Sequence, residues 1–424
     1  MNITMLNGAH TIFMLGIEGS GMRGLAFLLT QRGLTVAGSD DKVTEKRQIH
    51  GYTVVPESEA AKALGESDVL VYSDAVKSDH PLRVLAQEQG KRQLAYQEAL
   101  GEFAKEFQVL AVTGTHGKSS TTAMLAHILI EAGQDTTVLV GASIPQFGGR
   151  NARAGKGKYL VVEADEYRRH FLALFPAHVI ITSIDFDHPD YFSGLPDVEN
   201  AYSEFMQQVK AGGAVFAPAR VKATHSNLTW PNTTVEVSDE VLTPLPGKHM
   251  RENAALAVCL AEKVGVSRQQ AINSLQTFEG LSRRMENVGT IKETEVYSDY
   301  GHHPHEIQAT IAGAREKFDG KKIGVMVEPH MIERLETYFE DFVQALSAAD
   351  CVLLCPVFYP KGREGGVSTK LDLLGQRLED MGKPVEKLES YDTLRSALLK
   401  MSQKTDVMIA FTAGVLDSKL RKVL

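Results

Sequence analysis

Residues 109–122 read VLAVTGTHGKSSTT, an apolar run of strand length, a glycine turn, and a helical sequence opening on a lysine and two serines. No other stretch constrains the fold as much. A strand that is apolar on both faces must be covered on both, and one that passes straight into a helix belongs to a largely parallel sheet with helices around it. The same run constrains the chemistry. Backbone N–H groups of a glycine turn and a helix N-terminus point outward together, and the helix dipole favours an anion there. Gly114 and Gly117 let the main chain approach a polyphosphate, with Thr115 and His116 completing the turn. Lys118 reaches the β- and γ-phosphates, and the hydroxyls of Ser119 and Ser120 follow, Ser119 being placed to ligate Mg²⁺. The usual P-loop spacing has a further glycine at position 112, where this chain has Val112, so the loop is a shortened variant. A chance Gly-Lys-Ser on an ordinary strand–turn–helix is the plainer alternative, but it leaves the ordered succession unexplained. The implied ligand is ATP or GTP.

Two further αβ segments flank this one. The first, TIFMLGIEGSGMRGLAFLL, runs a strand over 11–15 into Gly19-x-Gly21-x-x-Gly24 and an apolar helix, and a second strand over 34–37 ends near Asp40. That offset is where a dinucleotide fold keeps its ribose-binding acid. The glycines are compatible with NAD, with another pyrophosphate such as a UDP-sugar, or with helix–strand packing alone. SDVLVYSDAV (67–76) reads as another buried strand of this sheet. The last segment follows FEGLSRRMENVG (278–289), whose glycines and charges suit a linker; VYSDYGHHPHEI, GVMVEP, VLLCPVF and DVMIAF then alternate with helical stretches. With 424 residues to distribute, the expectation is three α/β domains over 1–106, 107–280 and 281–424, with linkers near Phe107 and Leu281. Domains so linked are expected to close over ATP and expel water before a labile intermediate forms.

In an open parallel sheet the carboxyl ends of the strands converge on the ligand. YLVVEADEY (159–167) reads as a strand ending in three carboxylates, and HVIITSIDFDHPDYF (178–192) as one ending in Asp187-His188. Glu163, Asp165, Glu166, Asp187 and His188 are therefore candidates to lie near the P-loop, where one or two protein ligands plus phosphate suffice for Mg²⁺. His302, His303 and His305 raise the possibility of zinc, but they lack a Cys pair or a His-Glu-x-x-His spacing. Pro304 is expected to keep them out of a regular helix, in a loop that presents polar groups to a ligand.

A net charge of −8 argues against a general nucleic-acid or anionic-membrane binder. Cys259, Cys351 and Cys355 give no disulfide framework, and the last two flank an apolar run, so they read as core thiols of a reducing compartment. The N-terminal apolar stretch is too short for a signal or a membrane span, which makes the cytoplasm the expected location.

With these motifs in order, the chain resembles the Mur ligases, ATP-dependent amide-forming enzymes of peptidoglycan assembly. The resemblance rests on GIEGSGM, TGTHGKSSTT, VEADE, the strand ending FDH, GKHMRENAALA, GLSRRME and SDYGHHPHEI, and it loosens beyond about Gly366. It implies a Rossmann-like N-terminal UDP-sugar domain, a central P-loop ATPase domain with a mostly parallel sheet, and a C-terminal Rossmann-like domain for the incoming amine. It also implies ATP and Mg²⁺, with UDP-N-acetylmuramate and L-alanine as substrates; the murein tripeptide used by the family's recycling branch is the alternative amine. The residues carry over by position. Lys118 matches the phosphate-binding lysine, Ser119 the hydroxyl on a first Mg²⁺, Glu163 the bridging metal carboxylate, and His188 the ligand of the second Mg²⁺. Asn253 matches the adenine-contacting asparagine, with His249 and Tyr300 flanking the base; Arg284 matches a hinge arginine on the phosphates and Asp299 the acid beside the ribose. Gly16, Gly19, Ser20, Gly21 and Asp40 fall in the UDP loop and its acid, and His303, His330 and Arg334 near the amine. Three departures stand out: Met250 replaces a first asparagine, Ser298 replaces the first of two acids, and Glu328-Pro329-His330-Met331 replaces Gln-Pro-His-Arg. The cations nearest that last loop, Lys361 and Arg363, lie in a glycine-rich stretch that reads as a surface loop. An NAD oxidoreductase leaves the P-loop and VEADE unexplained, and a nucleotide-binding switch has no need of the second metal site.

Overall fold

The computed structural model describes residues 5–41, 43–359 and 369–424, which places Lys361 and Arg363 outside the described residues. Three mostly parallel sheets follow one another along the chain. The first runs, edge to edge, Arg47–Ile49, Tyr52–Val55, Thr35–Ser39, Thr11–Leu15, Val69–Tyr72 and Arg92–Ala95, all parallel except the antiparallel first pair. In the second, Gln108–Thr113 lies centrally, between Tyr159–Glu163 and His178–Ile181, and only the short Ala152–Arg153 edge is antiparallel. The third is ordered Glu286–Ile291, Thr294–Asp299, Val407–Thr412, Ile323–Glu328, Cys351–Leu354, Val385–Lys387, with one antiparallel edge.

By compactness these sheets fall into two units. One comprises residues 1–242 and 252–279, and the other 243–251 and 280–424. The first unit holds the first two sheets over one continuous core, from Met14, Leu25 and Val54 to Leu160, Ile181 and Phe205. Phe107, at the expected linker, is buried in that core with its ring 5.3 Å from Phe103. An aromatic ring at a domain junction gains more by burial than a flexible linker would by keeping it exposed. The second unit has an apolar layer on each face of its sheet. Val325, Val327, Ile409 and Phe411 face one layer, and Met326, Met408 and Ala410 face the other, as the two-residue repeat of a strand demands.

Several elements end earlier than their apolar runs. The strand read over 159–167 stops at Glu163, and the one read over 178–192 stops at Ile181. Beyond Glu163 the side chain of Glu166 turns to Lys118, and beyond Ile181 those of Thr182 and Ser183 bond to His116 in the glycine turn. Pro304 opens a helix, Pro304–Lys317, where a loop was expected. At the first helical position proline's missing N–H costs nothing and its fixed φ suits the turn. Cys351 and Cys355 are buried core thiols, Cys259 is partly buried, and none of the three is bridged. Among the described residues no helix is long and apolar enough to cross a membrane.

Candidate active site

The strand Gln108–Thr113 is buried from Val109 onward and passes through Gly114 to Gly117, which caps the helix Lys118–Glu131 in a left-handed conformation with φ 82°. Glycine is required at both turn positions. Gly114 has φ 137°, and a Cβ there would come within 2.0 Å of Thr182 Oγ1; on Gly117 it would lie 2.9 Å from Asn253 Oδ1. Asn253, buried on the helix Lys248–Lys263, therefore abuts the phosphate turn directly. Val112 is fully buried in the strand, so the missing glycine is a core position.

The turn is held by the loop that follows His178–Ile181. Thr115 N–H donates to the Ser183 carbonyl at 3.2 Å and His116 N–H to Ser183 Oγ at 2.8 Å. Thr115 Oγ1 accepts from Asp185 N–H at 2.8 Å. These backbone donors, expected to face phosphate, serve to fix the turn. The donors left to an anion are those of the helix's first turn, Lys118 to Ser120, which have no carbonyl ahead of them in the helix.

Lys118 has all its donors engaged within the protein. Its Nζ donates to Gly114 O at 2.7 Å and to both carboxylate oxygens of Glu166, at 2.9 and 2.8 Å. Burial acts to lower the lysine's pKa, but the charge of Glu166, supported by Asp165 and Glu163, outweighs it and holds the ammonium above its ordinary range. Burial also pushes Glu166 upward, against the pull of Lys118. With both oxygens accepting from the ammonium, the geometry favours the ion-paired state. Sequence reasoning placed Glu166 near the P-loop without foreseeing this bond.

Glu163 ends its strand beside Val112, and its Oε2 accepts from Gly141 N–H at 2.7 Å. Ser119 is buried in the first helical turn. Carboxylate and hydroxyl oxygens are the donors a hard divalent cation takes, so this pair fits Mg²⁺. His188 has φ 57°; its N–H donates to Asp187 Oδ1 at 2.7 Å and its ring lies 4.6 Å from that of Tyr167. A non-glycine residue held in this region is strained, and such residues gather at functional sites.

In the N-terminal sheet, Gly16 has φ 83°, and its N–H and that of Ile17 donate to Ser39 O at 2.8 and 3.2 Å. Asp40 Oδ2 accepts from Glu18 N–H at 3.2 Å, so the acid expected at a ribose also shapes the glycine turn. Gly21 leaves no space for a side chain, since a Cβ would lie 2.7 Å from the Tyr96 ring. Ser20 Oγ donates to Gly141 O at 2.8 Å.

In the second unit, Gly247, at φ 101°, precedes the helix that carries His249 and the buried Met250; the His249 ring lies against that glycine. Asp299 is buried, and its oxygens accept from Gly301 N–H at 2.8 Å and Met285 N–H at 2.9 Å. Burial raises its pKa, opposed by the Arg284 guanidinium. Arg284 also lies 3.8 Å from Glu306 and 5.4 Å from the half-exposed Tyr300 ring. Arg283 and Met285, on either side of Arg284, have φ of 58° and 47°. Ser298 Oγ donates to Asp417 Oδ1 at 2.7 Å, so an acid at position 298 would face a carboxylate. His303 is buried and caps the helix Pro304–Lys317, its Nδ1 accepting from His305 N–H at 3.3 Å while Glu306 reaches back to the cap. Arg334, also buried, donates to His330 Nδ1 at 3.1 Å, which leaves the other imidazole nitrogen protonated.

Glu328 is buried and has a structural role. It accepts from Tyr391 OH, Thr412 Oγ1 and the N–H groups of Gly414, Val415 and Leu416, and so caps the last helix, Leu416–Val423. Glutamate in place of glutamine is thus accounted for by the fold.

Residues 11–108 match the Mur ligase family, catalytic domain; 112–235 the Mur ligase middle domain; and 283–414 the Mur ligase, glutamate ligase domain. A UDP-N-acetylmuramate–L-alanine ligase of Methylobacillus flagellatus is 35% identical, with 95% of this chain and 93% of that protein aligned. One of Nitrosomonas europaea is 33% identical over 95% and 94%. Among solved structures, the UDP-N-acetylmuramate–alanine ligase of Thermotoga maritima superposes with a TM-score of 0.79 at 24% identity, covering 97% of this chain and 98% of that one. A murein peptide ligase of Psychrobacter arcticus reaches 0.71 at 23% identity, covering 97% and 98%. The three-domain α/β architecture is theirs, and the chain belongs to the Mur ligase family.

Proposed function

We propose that this protein is an ATP-dependent ligase of peptidoglycan precursor synthesis in the cytoplasm, joining L-alanine to UDP-N-acetylmuramate. The observation that carries the reading is the buried Lys118–Glu166 pair at the glycine turn, beside the Glu163 carboxylate, in a chain that aligns nearly end to end with L-alanine ligases. The lactyl carboxylate attacks the γ-phosphorus of ATP, the bond to the β-phosphate oxygen breaks, and ADP leaves. The α-amine then attacks the acyl carbon of the acyl phosphate; inorganic phosphate departs, and the amine's proton is lost as the amide forms. Phosphorylation is needed because a carboxylate is a poor electrophile. The central difficulty is bringing an anion to a polyphosphate.

Lys118 supplies fixed positive charge at the transferred group. Ser119, Glu163 and His188 would hold Mg²⁺, which when bound neutralises charge between the polyphosphate and the attacking carboxylate. The first-turn N–H groups of Lys118, Ser119 and Ser120 bind phosphate. Asn253, His249, Arg284, Asp299 and Tyr300 serve the nucleotide, and Gly16, Gly19, Ser20, Gly21 and Asp40 the UDP group. His330 and Arg334 take the α-carboxylate of the amino acid, since a guanidinium can grip it through two hydrogen bonds; His303 stands near the amine. The domain limits we adopt are 1–106, 107–280 and 281–424.

Lys118→Ala is expected to lower ADP formation in the presence of both substrates by at least about 100-fold, in a variant that is still folded at the assay temperature although the unpaired Glu166 carboxylate lowers its melting temperature. Substantial turnover by the folded variant would remove Lys118 from the mechanism.

A further inference from the structure

We propose that Asn151 is a positioning residue that couples the UDP-sugar turn to the Glu163 carboxylate, an inference that rests on the assignment of both sites above. The Asn151 side-chain nitrogen donates to Ser20 O at 2.9 Å and to Val140 O at 3.0 Å. Both acceptors are carbonyls, so the NH₂ must face them; the reversed amide would set oxygen against oxygen. The Val140 carbonyl belongs to the same peptide as Gly141 N–H, which donates to Glu163 Oε2 at 2.7 Å. The next peptide is held as well, Gly141 O accepting from Ser20 Oγ at 2.8 Å. One peptide plane is thus polarised from both ends, by Asn151 on its oxygen and Glu163 on its hydrogen, and hydrogen bonds in such chains strengthen one another.

The surrounding packing makes the link stiff. A Cβ on Gly141 would lie 2.8 Å from Glu163 Oε1, so the loop passes as close to the carboxylate as a backbone can. On the other side, a Cβ on Gly24 would meet Leu139 Cδ1 at 2.3 Å and Asn151 Nδ2 at 3.0 Å, so the helix Ser20–Gln31 is seated directly on the strand Thr137–Leu139 and its loop. Val140 N–H closes the loop onto Asn151 O at 2.9 Å. A pyrophosphate that orders the Gly19–Gly21 turn therefore also orders the peptide gripping Glu163. Ordering one site in advance lowers the entropic cost of filling the other, and the coupling is reciprocal.

The test is a calorimetric titration of Mn²⁺ with a non-hydrolysable ATP analogue, with and without saturating UDP-N-acetylmuramate. In the wild type the sugar nucleotide is expected to lower the Kd of the metal–nucleotide about five- to twentyfold. Asn151→Ala should reduce that factor to about twofold or less while changing the Kd for UDP-N-acetylmuramate alone by no more than about threefold. Asn151→Asp, which sets a charged oxygen against both carbonyls, should be at least as severe. Gly141→Ala acts from the other end and should weaken metal–nucleotide binding directly, which decides the matter should the Asn151 variants fail to fold. Full coupling in Asn151→Ala, unchanged metal binding in Gly141→Ala, or no coupling in the wild type would overturn the proposal. Failure of the wild type to bind UDP-N-acetylmuramate at all would instead overturn the proposed function.

Discussion

Lys118 shows how a single buried side chain keeps its charge. A buried ammonium would lose its proton if left alone, and here Glu166 keeps it charged. Removing that anion while keeping the shape, as in Glu166→Gln, leaves burial opposed only by Asp165 and Glu163, so the lysine's pKa falls. Activity that needs the charged lysine is then lost as pH rises through the lowered pKa. The alkaline limb of kcat/KM should move to lower pH by at least about one unit, roughly 1.4 kcal/mol between the two protonation states; a profile superimposable on wild type would contradict it. Lys118, Ser119 and Glu163 were legible in the sequence because each follows an apolar strand within a few residues. The contacts around them were not. Asn151 meets Ser20 across 131 positions and Glu166 meets Lys118 across 48, and no local pattern encodes a contact made only when two strands are set side by side. The thirteen residues after Gly141 carry glycines that mark a loop, but nothing in them marks Asn151.

Among the elements, helix starts carry much of the functional geometry, and they divide into those a motif announces and those it does not. The helix Lys118–Glu131 was evident from Gly-Lys-Ser, whereas Pro304–Lys317 was obscured because a histidine is an uncommon cap. Its capping box is nonetheless complete, with His303 accepting from the first turn and Glu306 reaching back. His303→Ala should therefore cost about 1 kcal/mol of stability and lower the melting temperature by about 2–4 °C. His303→Asn, a good cap, should restore most of it. Equal melting temperatures for wild type and the alanine variant would show that the cap is not what His303 contributes. Strand ends were overestimated for a related reason: the residues beyond Glu163 and Ile181 continue an apolar or acidic run, but the Glu166 side chain turns to Lys118 and the Ser183 carbonyl to Thr115 N–H, and neither segment continues a ladder.

Taken as a whole, the molecule is three doubly wound sheets, and the repeated alternation of apolar strand and amphipathic helix made that architecture readable. The shared core of the first two sheets was not readable, because Phe107 looks the same in a linker as in an interior. The central claim concerns the whole molecule, namely that a carboxylate is activated by ATP and captured by a small amino acid. Glu328, one of the residues that depart from the family's pattern, is buried in a helix cap, while Arg334 donates to His330, the pair we propose takes the α-carboxylate. The most direct measurement is the rate of ADP release from ATP with UDP-N-acetylmuramate and either L-alanine or the murein tripeptide, with the amide product identified by mass. The account predicts ADP release that requires both the sugar nucleotide and an amine, with kcat/KM for L-alanine exceeding that for the tripeptide by at least about tenfold. Faster turnover with the tripeptide, or ADP release independent of UDP-N-acetylmuramate, would contradict it.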